Sequence, residues 1–195
     1  MRSLVLAVVL IGLGLILFVS GCNSYNNFVD MEENVENEWG KVQSAYQRRA
    51  DLIPNLVNTV KGVADFEKST LTEVTQARSR ATSVNIDPTN LTPEKMKEFQ
   101  EAQAGLSQSL GRLLLISENY PQLRASENFK ELQVQLEGTE NRIKVARDRY
   151  NDVVTEYNKR VRRFPGSLYA GMFGFDQKTQ FEAEASAQEA PKVEF

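Results

Sequence analysis

Residues 126–166 read SENFKELQVQLEGTENRIKVARDRYNDVVTEYNKRVRRFPG, and their spacing decides the fold class. Phe129, Leu132, Leu136, Thr139, Ile143, Ala146, Tyr150, Val153, Tyr157, Val161 and Phe164 follow one another in steps of three and four. A strand would alternate with a period of two. Steps of three and four keep one stripe of a helix turned toward a partner, as in a coiled coil. Ser126 stands where an N-cap belongs. Phe164-Pro165-Gly166 supplies the stop, because proline cannot continue a helix and glycine favours its exit.

Upstream, the same periodicity returns. Phe28, Val35, Val42, Leu56 and Val63 share one heptad row, interrupted only by Arg49, and Trp39, Tyr46, Ile53 and Val60 share the row beside it. This predicts a helix from Tyr25 to about Lys61, kinked at Pro54, whose missing N–H would have bonded the Ala50 carbonyl. Gly62 and Asp65 read as a stop and a new N-cap. A weaker helix over 66–83 carries a stripe of small residues, Thr70, Val74, Ala77 and Ala81, and a loop around Pro88 follows. Thr92-Pro93-Glu94 then opens a third helix with a hydroxyl cap, a proline at the first position and an acid at the positive end. That helix carries Phe99, Leu106, Leu113 and Tyr120 and ends before Pro121. Gly105 and Gly111 inside it each cost about 1 kcal/mol relative to alanine, which points to a close neighbour. Four such segments with short links predict an all-α fold: an antiparallel four-helix bundle with coiled-coil-like seams.

The two ends are different in kind. Leu4 to Val19 is an unbroken apolar run behind Met1 and Arg2, and it ends Val19-Ser20-Gly21-Cys22. It is long for a signal-peptide core and short for a spanning helix, which needs ~20 residues. Two readings stand. An aliphatic residue, two small residues and a cysteine have the order of a bacterial lipobox, which makes Cys22 a lipidation site; otherwise the run is kept as a single transmembrane helix. Both place the bundle on the extracytoplasmic side, since Arg2 is the basic flank that stays inside. The lipoprotein reading leaves the outer membrane open, because Asn23 and not an aspartate follows Cys22. Either way membrane lipid is the partner of the N-terminus. The chain therefore divides into an anchor (1–22), a helical bundle (23–165) and an aromatic, acidic tail (166–195). Phe173, Phe175, Phe181 and Phe195 make that tail too apolar to stay solvated, so it is expected to fold back on the bundle or to dock elsewhere.

Composition narrows the functions. The chain has 195 residues, 41% hydrophobic and 25% charged, with a net charge of −3, which suits one folded domain and not a nucleic-acid binder. It has no histidine and one cysteine, so the common general base, metal ligand and nucleophile are missing. No metal and no cofactor is expected. An enzyme here would have to use carboxylates, lysine, tyrosine or a hydroxyl alone. The favoured function is a non-catalytic scaffold or interaction module of the cell envelope with an unidentified envelope protein as partner; the alternative is a carboxylate- or Lys-based envelope enzyme.

Arg48, Arg49 and Asp51 are candidates for an anion site, but Arg49 lies in an apolar row, where a buried arginine normally pairs with a carboxylate. If the last helix ends beside the start of the first, acidic Asp30–Glu38 faces basic Lys159–Arg163, and counting inward brings Arg49 level with Glu140. An ion pair between Glu140 and Arg49, or Arg48, is the expectation. In the tail, Phe175 and Phe181 are candidate interaction residues.

Three stretches resemble the LemA family of bacterial membrane proteins. They are Tyr46-Gln47-Arg48-Arg49-Ala50-Asp51-Leu52-Ile53-Pro54-Asn55-Leu56-Val57, Glu118-Asn119-Tyr120-Pro121-Gln122-Leu123-Arg124-Ala125, and Gly138-Thr139-Glu140-Asn141-Arg142-Ile143-Lys144-Val145-Ala146-Arg147. The last runs on through Tyr150-Asn151 and Tyr157-Asn158 to Phe164-Pro165, and Gly174-Phe175 and Phe181-Glu182-Ala183 in the tail are similar too. The resemblance implies a short N-terminal anchor and an antiparallel helical bundle, and it implies no established activity. Family members commonly have a plain membrane helix where this chain has Val19-Ser20-Gly21-Cys22, and often a histidine where it has Phe66.

Overall fold

The computed structural model describes residues 2–62, 66–84, 86–88 and 91–182. Among these residues there are six α-helices and no strand: α1 (Arg2–Lys61), α2 (Lys68–Ser83), α3 (Pro93–Ser117), α4 (Pro121–Ala125), α5 (Glu127–Arg162) and α6 (Gly166–Phe173). The chain is an all-α bundle behind an apolar N-terminal helix.

α1 joins two segments that the sequence suggested were separate. Nothing between Val19 and Tyr25 breaks a helix strongly, since Gly21 costs only about 1 kcal/mol. The apolar run and the first bundle helix therefore fuse into one helix of 60 residues, about 90 Å long. It also continues through Pro54. Proline leaves the Ala50 carbonyl without its helical donor, and Arg78 Nε on α2 donates to that oxygen at 2.8 Å. A side chain of the neighbouring helix thus stands in for the N–H that is missing where a kink was expected.

α5 returns alongside α1. Arg49 meets Glu140, and the Arg160 guanidinium lies over the Phe28 ring at 6.0 Å. A step of 21 residues on α1 (28 to 49) is matched by 20 on α5 (160 to 140), so the two helices run antiparallel. α2 runs back from the distal end to bring Arg78 to Ala50. α3 runs out again, with Phe99 against Tyr46 and Gln103 against Arg49. Thr92 caps α3 by accepting from Lys95 N at 3.3 Å. The buried side chains form two clusters. A distal, aliphatic one is built on Ile53, Leu56, Val60, Val74, Leu106, Leu113 and Leu136; a proximal, aromatic one is built on Phe28, Trp39, Tyr46, Phe99, Tyr150, Tyr157 and Phe181.

Several expectations are corrected. Ser126 occupies the N-cap position of α5 without a side-chain capping bond. Pro121 does end the third helix region, but it also opens α4, with Tyr120 at its N-cap. Gly105 and Gly111 have no atom within 4 Å of where a Cβ would stand, so no close neighbour explains them. In α5 it is Val154, not Val153, that is fully buried. A straight α-helix drifts about 20° per heptad relative to an ideal 3.5 repeat, and after three heptads the stripe has moved. Phe164 lies beyond the end of α5 and is 80% exposed. Within the tail, α6 occupies 166–173. Gly166 opens it because a Cβ there would collide with the Arg160 carbonyl. Val63, Asp65 and residues 183–195 lie outside the described residues.

Candidate functional site

Where the two clusters meet, α1, α3 and α5 contribute a polar layer. Arg49 is 1% exposed. Its Nη1 donates to Glu140 Oε1 at 2.6 Å and to Ser107 Oγ at 2.8 Å, and its Nη2 donates to Gln103 Oε1 at 2.6 Å. The Gln103 amide in turn donates to the Ala81 carbonyl of α2 at 3.1 Å. The Arg49 guanidinium also lies 5.1 Å from the centroid of the Tyr46 ring. One buried charge therefore ties all four long helices together, and the Glu140 side chain, 48% exposed, lets water share the cost of burying the pair.

The proximal cluster is closed by the chain after α6. Residues 175–182 run along α5 as a strap without helix or strand, and two asparagines hold them. Asn158 Oδ1 accepts from Lys178 N and its Nδ2 donates to Lys178 O, both at 2.9 Å. Asn151 does the same to Phe181, at 2.9 and 3.2 Å. Seven helical residues rise about 10.5 Å, and three extended residues span about 10 Å, so the two grips fall in register. Tyr150 Oη donates to the Thr179 carbonyl at 2.8 Å, and Lys178 pairs with Glu32 of α1. Phe181 is buried against Trp39, Tyr150 and Phe99 at centroid distances of 5.8, 5.4 and 6.5 Å, and Phe175 stacks on Phe28 at 4.9 Å. Both phenylalanines are thus engaged by their own chain. Burial pushes the phenols of Tyr150 and Tyr157 well above the usual tyrosine range, with Glu32 and Asp176 adding to the effect at Tyr157; both stay protonated. The signal in the sequence was the dipeptide Tyr-Asn repeated seven residues apart: the tyrosine turns inward and the asparagine beside it reaches the strap.

On the opposite face of α5, a groove of about 520 Å³ opens between α1 and α5. Ala45, Val145 and Ala146 line it together with one acid, Glu38, and with Lys41, Arg48, Arg142 and Arg149. Lys41 is paired with Glu38 at 2.6 Å; among the described residues, Arg48, Arg142 and Arg149 have no ion-pair partner. The register that sets Arg49 against Glu140 also sets Arg48 across from Arg142 and Lys41 across from Arg149, like charge facing like charge. Asp51 is exposed and accepts from Gln47 Nε2 at 2.7 Å, outside the groove. Cys22 is exposed in α1 just beyond the apolar run. Among the described residues no three acidic, cysteine or histidine side chains converge as metal ligands would.

An N-terminal helix long and apolar enough to cross a membrane, continuous with a helical bundle, fits a membrane-anchored helical-bundle protein. The particular family follows from the sequence: the chain belongs to the LemA family, whose profile matches residues 38–195. It is similar to the magnetosome protein MamQ 2 of Paramagnetospirillum magneticum, 25% identical over 87% of this chain and 68% of that protein. MamQ of Magnetospirillum gryphiswaldense has the same identity and coverage. Protein LemA of Metamycoplasma hominis is 24% identical over 71% of this chain and 60% of that protein.

Proposed function

We propose that this chain is a non-catalytic docking protein of the cell envelope, held in a membrane by its N-terminus and engaging an acidic segment of a partner protein in the α1–α5 groove. The observation that carries this reading is the set Arg48, Arg142 and Arg149, unpaired among the described residues and lining one groove over an apolar floor. Cations facing one another across a seam repel and weaken it, unless an anion sits between them. An acidic segment with small apolar residues between its carboxylates matches both the charge and the floor. The groove stands far from the lipid: Lys41 lies about 33 Å along α1 beyond Val19, which favours a protein partner over a headgroup. Family membership and the relatives named above fit a membrane-associated protein, and none of those relatives is named for a reaction.

A photo-crosslinking residue at half-exposed Val145 tests the reading, with the same residue at Val134 as control. The expected result is one adduct at 145, absent at 134 and lost in Arg142→Glu/Arg149→Glu. Equal labelling at both positions would refute the groove. The anchor is tested separately. Where Cys22 carries the lipid, the mature protein lacks residues 1–21 and Cys22→Ser abolishes that processing; a mature mass that keeps residues 1–21 leaves the retained helix as the anchor.

A further inference from the structure

We infer that α6 and the turn before it form a second membrane contact, an interfacial foot that lies on the bilayer beside the point where α1 leaves it. The small face of α6, Gly166 and Ala170, is buried against the bundle. The opposite face is not: Leu168 is 63% exposed and Met172 68%, and Phe164 just ahead of the helix is 80% exposed. Leu168 and Met172 are four residues apart, so they project from one side of the helix. Three large apolar side chains so placed form a contiguous patch, which soluble surfaces usually avoid.

The position of the foot identifies what covers that patch. The Tyr169 ring lies 3.5 Å from where a Cβ on Gly21 would stand, and Phe173 packs edge-on against Tyr25 at 5.2 Å. The side chains of α1 immediately before this point, Ile16, Phe18 and Val19, are exposed and apolar. α6 thus lies beside α1 at the level where the apolar surface of the anchor ends. Whether α1 spans the membrane or Cys22 carries a lipid, the water boundary falls beside residues 20–25, where the foot sits. Tyr25, Tyr169 and Phe173 supply the aromatic belt expected at that depth, and exposed Arg162 and Arg163 can face anionic headgroups.

The inference rests on the membrane anchor and not on the groove, and one experiment separates the anchor from the foot. The full chain, carrying Leu168→Trp, is reconstituted in phosphatidylcholine–phosphatidylglycerol vesicles with brominated acyl chains. The native Trp39 is buried and lies about 30 Å along α1 beyond Val19, so it supplies an unquenched background. An interfacial residue enters about 5–10 Å into the headgroup and acyl boundary, so the added emission should be lost to bromine quenching. Met172→Trp should behave alike, while Leu115→Trp at the distal end should not be quenched. Both positions on α6 are exposed, and an unchanged helical circular-dichroism signal checks the fold. A chain that floats with the vesicles but shows no quenching at 168 or 172 overturns the foot alone. A chain that does not float overturns anchor and foot together.

Discussion

The two halves of the bundle solve the same burial problem differently. Beyond Arg49, four helices pack mainly by aliphatic side chains, with Phe66, Phe129 and Tyr120 among them. Below Arg49, α2 is gone and α3 has only its first turns. α1 and α5 are left with an open face of large aromatic side chains. That face is closed by a strap whose backbone is gripped by two asparagines. Helix on helix needs only that apolar residues recur with the right period. A strap on a helix needs a donor and an acceptor at each point where its backbone is covered, since a buried peptide group without a partner is costly. The distal half is therefore built from repeated, interchangeable contacts, and the proximal half from a few specific ones.

That difference can be broken most forcefully at Phe181. Phe181→Ala removes a ring packed against Trp39, Tyr150 and Phe99, and is expected to cost about 3 kcal/mol by denaturant unfolding, the low end for a buried phenylalanine. Hydrogen exchange should rise along 175–182 and the proximal part of α5 while Leu106 and Leu113 keep their protection. Equal loss in both halves would show that they do not differ in this way.

The junction comes next. Arg49→Met leaves Gln103 and Ser107 without their donor and is expected to cost about 2–3 kcal/mol. Glu140→Gln should cost about 1 kcal/mol or less, because that side chain is half exposed. A double-mutant cycle reads the coupling between them; strictly additive losses would take the pair out of the account.

A smaller effect sharpens the distal side. Arg78→Met uncaps the Ala50 carbonyl and should cost about 1–2 kcal/mol. In a Pro54→Ala background the helix supplies its own N–H, and the penalty of Arg78→Met should shrink to what packing alone accounts for. The same penalty in both backgrounds would mean that Arg78 does not substitute for the missing donor.

The last effect is absent at neutral pH. Tyr150 and Tyr157, both proximal, have phenols held above their ordinary values by burial. The unfolded chain releases those protons near pH 10, before the folded one does. Stability is then complete below about pH 10 and declines as the pH rises further. Amide exchange should therefore open the proximal half first in alkaline buffer.

The sequence by itself determined the helices and the two-row stripe of α1, because a period of 3.5 is a local, repeated signal that survives without knowledge of any partner. It also marked the apolar N-terminus and, through Pro93 and Thr92, the start of α3. It could not determine that Arg78 would complete the helix at Pro54, nor that Asn151 and Asn158 would hold residues 178 and 181. Each of those contacts joins a side chain on one element to backbone groups 20 to 30 residues away; the Tyr-Asn repeat marks Asn151 and Asn158 on α5 but not the backbone they reach. Nor could it separate Val153 from Val154, since the drift of the stripe depends on how far α5 stays against α1. Tertiary structure decided these points because a polar side chain can satisfy many backbone groups equally well, and only the packed chain brings one of them within reach.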